Sequence, residues 1–237
     1  MARVFAAEGA HVLVHGRSAG EAAAVVDGIA AAGGSAEEVV GDLTTDEGAA
    51  AMMASVGSVD VLVANLGAPG ASNWESMDNW AAEWDANVLV GIRATQAVMP
   101  TMRDTGWGRI IFIGTVGSRR PGAKNPGYYG AKAALHNIVR SLAKELRGSG
   151  VTANLVSPGM IATAEVRASL TAHAERRGRV TEWDEVERRA VSSIMPNLTD
   201  RLPEPEDIGR LVAYVASEGA WHINGADLAI DGGALDA

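Results

Sequence analysis

Short apolar strand patterns alternate with helical patterns along the whole chain, and this alternation restricts the fold more than any other feature. Residues 59–64 are almost continuously apolar, which is typical of a strand buried on both faces of a parallel sheet. Strands that alternate with helices of this length form βαβ units with right-handed crossovers. The predicted fold class is therefore α/β with a parallel sheet. The predicted strands are 11–15, 37–40, 59–64, 109–113, 151–156 and 226–230.

The size and charge of the chain limit its organisation and its partners. A chain of 237 residues with 47% hydrophobic content can bury one substantial core, so we expect a single domain over 1–237. The net charge of −9 argues against a nucleic-acid partner, since phosphate backbones bind basic surfaces. No apolar run approaches the roughly 18 residues of a membrane span, so no membrane partner is expected.

The cysteine and histidine content argues against a metal site. The sequence has no cysteine, which excludes a disulfide framework and a thiolate site and fits a reducing cytoplasm. None of the histidines shows ligand spacing, so we expect no metal. They are His11, His15, His136, His173 and His222.

The stretch from 109 to 132 carries the main chemical signal. A β-branched strand over 109–113 precedes Asn125-Pro126, which is typical of a helix start. Tyr128 and Lys132 then lie four residues apart on one helix face. A phenol has a pKa of about 10, and a nearby ammonium group favours the phenolate. The pair suits acid/base chemistry at an oxygen, although tyrosine in a core and lysine in water would give the same spacing.

This stretch resembles the short-chain dehydrogenase/reductase family, in which a Tyr-x-x-x-Lys pair follows a catalytic serine by thirteen residues. Thr115 occupies the serine position here, whereas Ser118 is off register. The resemblance extends through nearly all of the chain. It implies a Rossmann-type doubly wound sheet and hydride transfer between a nicotinamide and a secondary alcohol or ketone, as in the 3-oxoacyl reductases.

The resemblance also implies roles for the residues of the site. Tyr128 would donate or accept the proton, and Lys132 would lower its pKa and bind the ribose hydroxyls. Thr115 would hydrogen-bond the substrate oxygen. Asn87 aligns with the asparagine whose main-chain carbonyl holds a relay water. These four are the expected catalytic residues.

Two further segments resemble cofactor-binding parts of the family. Asn65-Leu66-Gly67 is similar to the family's Asn-Asn-Ala-Gly beside the adenine ribose. The run from Pro158 to Thr163 resembles a Pro-Gly-x-x-x-Thr segment near the nicotinamide carboxamide, with contacts expected from Gly159, Ile161 and the Thr163 hydroxyl.

Asp42 and Arg17 are expected at the adenosine end of the cofactor. Asp42 resembles the acid that accepts from the adenine amino group, although an acid in a helix N-terminal turn is an equal alternative. Arg17 lies where an acid would bind the ribose of NAD, and no Asp or Glu occurs between 11 and 18. An arginine suits a 2′-phosphate, which favours NADP(H) over NAD(H). The alternative is a solvated arginine.

The first strand of the family and its Thr-Gly-x-x-x-Gly-x-Gly turn are not found in the sequence. About 20 residues with this strand and turn are expected to be missing. In the strand order 3-2-1-4-5-6 that strand is central, so two inner sheet edges would be left unpaired. The segment 67–70 lacks the spacing to replace the turn. A longer natural protein, a rearranged sheet completed by a partner, and a descendant that has lost dinucleotide binding all remain open.

Substrate choice and assembly follow from the same resemblance. Residues 164–197 are a candidate lid over the site, although their mixed charges also suit a solvated surface. The helical stretches 76–102 and 128–147 are expected to pair with their copies in a homodimer or homotetramer. The competing hypothesis is a binding or structural homologue without catalysis or dinucleotide binding.

Overall fold

The computed structural model describes residues 1–67 and 69–237, and its six strands confirm the predicted alternation. Ala68, within the segment 67–70 compared above with the glycine-rich turn, lies outside the described residues. The strands are β1 His11–Gly16, β2 Ser35–Val40, β3 Val61–Ala64, β4 Gly108–Ile113, β5 Val151–Pro158 and β6 Asp227–Ile230. The helices are α1 Ala2–Ala7, α2 Ala23–Ala31, α3 Asp46–Val56, α4 Trp80–Trp84, α5 Val90–Thr105, α6 Pro126–Glu145, α7 Ala164–Glu175, α8 Trp183–Ser193 and α9 Pro205–Ala216.

All of the strand pairs are parallel, and they form two sheets within residues 1–67 and 69–237. β1 pairs with β2, and β3, β4, β5 and β6 form a sheet in that order. β1, β2, β3 and β6 each have a single partner strand in the described chain. The α/β class with parallel sheets is confirmed, whereas the absence of a first strand and glycine turn stays a prediction.

Helices on both faces hold the two sheets together. On one face, α1 packs against β1 and against α9, and α9 packs against β4 and β5. On the other face, α3 packs against β2 and α5, and α5 packs against β3 and β4. The main core lies between β4, β5 and helices α5 and α6, where Ile110, Leu135 and Leu155 are almost fully buried.

The helix predicted over 76–102 is interrupted in the structure. α4 ends at Trp84, a π-helical turn covers Asp85–Leu89, and α5 continues to Thr105. Asn79, at the N-cap of α4, has a left-handed φ of 67°. A π-turn adds one residue to the helical repeat and is frequent at functional sites. This turn contains Asn87, one of the predicted catalytic residues.

The segment 164–197 forms two helices, α7 and α8, with Gly178 between them at a φ of 62°. They pack on each other and on the chain before α7, with Ala162, Val191 and Leu202 at the centre of the contact. Its role as a lid stays a prediction. Throughout the chain outside position 68, no helix is both long and apolar enough to cross a membrane.

Candidate active site

The carboxyl ends of β3, β4 and β5 surround a small cavity of about 180 Å³. Carboxyl ends of parallel strands are the usual position of ligand sites in α/β folds. Three loops and the first turns of α6 contribute to its wall. The lining residues are Asn65, Leu66, Gly67, Ile113, Gly114, Thr115, Tyr128, Lys132, Pro158, Gly159 and Ile161.

Lys132 is buried at the base of this cavity, with 3% of its surface exposed. Its Nζ donates to the carbonyl of Leu66 at 3.2 Å and to that of Ile113 at 3.0 Å. The ammonium group thus joins the loops after β3 and β4, and a third N–H remains for another acceptor. Burial lowers the pKa of Lys132 to about 8.

Tyr128 faces the same cavity from the first turn of α6. Burial raises its pKa above the ordinary value, and the neighbouring Tyr129 and the carboxylate of Glu83 raise it further. A side-chain hydrogen bond with Thr115 acts in the opposite direction. The ammonium of Lys132 bonds to carbonyls in this structure, so the expected lowering of the Tyr128 pKa by Lys132 stays a prediction for the occupied site.

Thr115 is the second residue after β4, and its extended backbone places the hydroxyl beside Tyr128. Its Oγ1 also accepts from the N–H of Gly117 at 3.2 Å, capping a short 3₁₀ turn. Ser118 ends that turn and is directed elsewhere. Its Oγ donates to the Thr115 carbonyl at 2.6 Å and lies 2.8 Å from Nε2 of His136. Thr115 therefore occupies the position beside the phenol, as the spacing predicts.

Asn87 is buried in the π-turn and lies outside the cavity wall. Its Nδ2 donates to the main-chain carbonyl of Glu83 at 2.9 Å and to Oε2 of Glu83 at 3.2 Å. The amide is therefore held by the preceding helical turn. The role of the Asn87 carbonyl in a water relay stays a prediction.

Glu83 is a residue of this region that the sequence reasoning missed. It lies one helical turn before Asn87 and is only 4% exposed, although it carries a carboxylate. A glutamate on an exposed-looking, tryptophan-containing helix gives no sign of burial. The available signal was its position four residues before Asn87, which places both side chains on one face.

Three predicted cofactor residues lie away from the cavity. The Arg17 side chain, after β1, is 70% exposed, with Nη2 3.9 Å from Oε1 of Glu21. Oδ1 of Asp42, after β2, accepts from the backbone and hydroxyl of Thr44 at 2.9 and 2.7 Å. The backbone hydrogen bond is the main cause of its lowered pKa. Oγ1 of Thr163 accepts from the N–H of Val166 at 3.3 Å and caps α7.

The cavity suits the nicotinamide ribose part of a dinucleotide. Lys132 has a third N–H that a ribose hydroxyl can accept, and Tyr128 offers a hydroxyl beside it. Ile113 and Ile161 give the wall apolar surfaces for a flat ring. The residues brought together here therefore fit that half of the cofactor. Arg17 and Asp42 lie after β1 and β2, the strands of the other sheet.

Comparison with known proteins agrees with this geometry. The chain is 35% identical over 201 residues to nodulation protein G of Azospirillum brasilense, covering 81% of this chain and 74% of that protein. It is 30% identical to the 3-oxoacyl-[acyl-carrier-protein] reductase of Pseudomonas aeruginosa, over 95% of this chain and 87% of the reductase.

The structural comparison extends over the whole chain. L-sorbose reductase from Gluconobacter frateurii, solved with NADPH and L-sorbose, is 27% identical with a TM-score of 0.88, covering 100% of this chain and 91% of the reductase. Residues 1–174 match the short chain dehydrogenase family. The protein is an oxidoreductase that belongs to the short chain dehydrogenase family.

Proposed function

We propose that the protein transfers a hydride between NADP(H) and a secondary alcohol or ketone in a small molecule. The observation that carries this proposal is the convergence of Tyr128, Thr115 and Lys132 at one cavity. The similarity to a 3-oxoacyl reductase and to a sorbose reductase solved with NADPH supports it. A 3-oxoacyl compound is the first substrate class to test.

Each residue has a defined part in the proposed reaction. A bound nicotinamide would supply hydride to the carbonyl carbon in reduction, or accept it from the carbinol carbon in oxidation. In reduction, Tyr128 gives its proton to the carbonyl oxygen, and in oxidation its phenolate accepts the alcohol proton. Thr115 holds that oxygen by a hydrogen bond. Lys132 directs its third N–H to a ribose hydroxyl, and the Asn87 carbonyl anchors a water that returns the proton.

A preference for NADP(H) rests on the charges after β1. Arg17 can form charge-assisted hydrogen bonds with a 2′-phosphate, and its present contact with Glu21 is long, at 3.9 Å. Asp42 would accept from the adenine amino group. Asn65 and Gly67 would pack beside the adenine ribose, and Pro158, Gly159 and Ile161 would contact the nicotinamide.

Pyrophosphate binding would use the space between β1 and β3, which are edge strands of the two sheets. Each strand has one edge without a partner strand in the structure as described, so backbone groups on both edges are available. We include in the proposal a parallel strand that pairs with both edges and leads into a glycine-rich turn. The N–H groups of that turn would hold the pyrophosphate.

Assembly and substrate access complete the proposal. Helices α5 and α6 would pair with their copies in a homodimer or homotetramer, and 164–197 would close over bound substrate. A cytoplasmic location is part of the same proposal. A monomer by light scattering would count against the assembly alone.

Calorimetric titration with NADPH and NADH tests the cofactor. It would be run on the protein and on a form with a strand and a glycine-rich turn fused ahead of Met1. We expect NADPH to bind more tightly than NADH, and the fused form to bind more tightly than the unfused form. Reduction of 3-oxoacyl thioesters and keto sugars would then define the substrate. Failure of both forms to bind either dinucleotide would exclude the proposal.

Two observations favour a second function. The two unpaired edges and the threonine at the serine position also suit a homologue that binds a partner without catalysis. Such a protein would bind no dinucleotide, or would bind one without any turnover. The same titration, followed by a turnover assay, separates the two functions.

A further inference from the structure

A buried carboxylate lies beside the first turn of α6 and has no part in the proposed reaction steps. Oε1 of Glu83 accepts from the N–H of Gly70 at 2.7 Å and from Oγ of Ser72 at 3.4 Å. Oε2 accepts from Nδ2 of Asn87 at 3.2 Å. Carboxylates are almost never buried unless they are paired, and here neutral donors fill that role.

Ser72 connects this carboxylate to the catalytic helix. Its Oγ accepts from the N–H of Gly127 at 3.0 Å while donating to Glu83. Gly127 is in the first turn of α6 and directly precedes Tyr128. A continuous hydrogen-bond path therefore runs from α4 through the loop at 70–72 to the backbone next to the phenol.

The packing around this path leaves no room for larger residues. A Cβ at Gly70 would lie 2.4 Å from Oε1 of Glu83, and a Cβ at Gly127 would lie 2.8 Å from Oγ of Ser72. Ser72, like Glu83, is 4% exposed. The fit is tight on both sides of the carboxylate, so a shift of Glu83 would move both the loop and the helix start.

We propose that Glu83 is a positioning residue, whose carboxylate fixes the loop at 70–72 and the first turn of α6 and so sets the position of Tyr128. This inference rests on the proposed function of Tyr128. Glu83→Gln would place an amide NH2 either against the donors of Gly70 and Ser72 or against the amide of Asn87. A donor that faces a donor weakens this set of hydrogen bonds without changing side-chain size.

The charge of Glu83 also acts on the phenol. The titratable groups that face Tyr128 are Tyr129 and Lys132 on its own helix and Glu83 from α4, with the neutral Thr115 hydroxyl from the loop after β4. Of these, Glu83 is a source of negative charge and raises the pKa of Tyr128. The carboxylate thus favours the protonated phenol, which is the form that donates in ketone reduction.

The test compares Glu83→Gln with two controls. Glu187→Gln, in α8, removes another carboxylate of 4% exposure, which accepts from the N–H of Leu202 at 3.0 Å. Ser72→Ala keeps the Glu83 charge but breaks the path to Gly127. Hydrogen exchange of the Gly70 and Gly127 amides is measured by NMR. The titration of Tyr128 is followed by ¹³C-labelled tyrosine, with Tyr128→Phe for assignment among the three tyrosines.

We expect Glu83→Gln to raise exchange at both amides by about tenfold or more and to lower the Tyr128 titration midpoint. Ser72→Ala should raise exchange at Gly127 and leave the midpoint in place, and Glu187→Gln should change neither. Where the protein reduces a ketone substrate, the pH profile of the reaction should move to lower pH in Glu83→Gln and not in the two control variants. Unchanged amide exchange in Glu83→Gln would overturn the proposal. An absence of dinucleotide binding by the unsubstituted protein would instead count against the proposed function.

Discussion

Two pairs of strands in this protein, β4 and β5 on one side and β1 and β3 on the other, differ in burial and in the number of partner strands. Every residue of β4 and of β5 is buried, whereas β1 is buried only at Gly16 and no residue of β3 is fully buried. β4 and β5 each have two neighbouring strands, while β1 and β3 each have one within the part of the chain that is described. β1 and β3 are edge strands of their sheets, and their greater exposure is consistent with that position.

The same contrast separates the two halves of the site. The loops after β3, β4 and β5 enclose Tyr128, Thr115 and Lys132 and hold them by hydrogen bonds. Arg17 and Asp42, after β1 and β2, are exposed and bond only to nearby backbone and side chains. The groups of the proposed chemistry are therefore held by the core, whereas the residues proposed for the adenosine end are exposed and held only by local contacts. Variants of the two halves should differ accordingly.

The largest effect is expected in the buried half, from Tyr128→Phe. Loss of the proton donor should lower turnover by about 10²–10⁴-fold, as for other general acids, and leave NADPH affinity nearly unchanged. Steady-state kinetics and calorimetry measure the two quantities. Tyr129→Phe is the control, because its ring packs 5.4 Å from that of Tyr128 and belongs to the same helix turn. Equal losses in both variants would contradict the assigned role.

Amide exchange tests the contrast between these strands directly. Peptides that cover β1 and β3 should exchange roughly 100-fold faster than those that cover β4 and β5, because unpaired edges open without global unfolding. Mass spectrometry measures the rates. A strand bound between β1 and β3 should slow amide exchange in both of these strands and leave exchange in β4 and β5 unchanged. Equal protection in all four strands would show that the edges are already covered.

The pH dependence of stability should reveal the buried ammonium of Lys132. Its pKa of about 8 in the folded protein is below the ordinary 10.5, so between these values the unfolded chain binds a proton that the folded protein does not. The free energy of unfolding, relative to that of Lys132→Met, should therefore rise by about 3 kcal/mol from pH 8 to 10.5 and stay constant above that range.

Urea unfolding of both proteins at several pH values measures this difference. Lys144→Met is the control, because Lys144 is exposed. A flat difference between wild type and Lys132→Met over this range would show that the ammonium is better solvated than its burial indicates. The raised pKa of Tyr128 acts on both proteins and largely cancels in the comparison.

The strands and the central pair of the site follow from local patterns in the sequence. β4 contains three isoleucines and is followed by a glycine, and Asn125-Pro126 starts α6, so Tyr128 and Lys132 lie on one face as predicted. These features depend on residues close together in the chain. They need no knowledge of the tertiary contacts.

Other features depend on contacts between distant segments, and the sequence did not show them. The burial of Glu83 depends on Gly70, Ser72 and Asn87, which belong to a loop and a π-turn. The π-turn itself has no proline or glycine to mark it. The bonding of Lys132 to two loop carbonyls requires that β3 and β4 be adjacent. Such arrangements are settled by packing, not by helical or strand periodicity.

The smallest effect is expected in the exposed half, from Arg17→Ala. The guanidinium is largely solvated, so its loss should weaken NADPH binding by about tenfold and NADH binding much less. Calorimetry with both dinucleotides at low and high salt measures this, since contacts between exposed charges weaken with ionic strength. Arg179→Ala, at an exposed arginine between α7 and α8, is the matched control and should change neither affinity.

Glu21 allows a second step in the same experiment. Its carboxylate lies near the Arg17 guanidinium and would repel a bound 2′-phosphate, so Glu21→Gln should strengthen NADPH binding in the presence of Arg17. When Arg17→Ala is also present, Glu21→Gln should still increase NADPH affinity if Glu21 repels the 2′-phosphate directly. It should not do so if Glu21 acts only through Arg17. Equal changes in NADPH and NADH affinity in either variant would mean that the residues after β1 do not recognise the 2′-phosphate. The contrast between a buried catalytic half and an exposed adenosine half would then rest on the sheet edges alone.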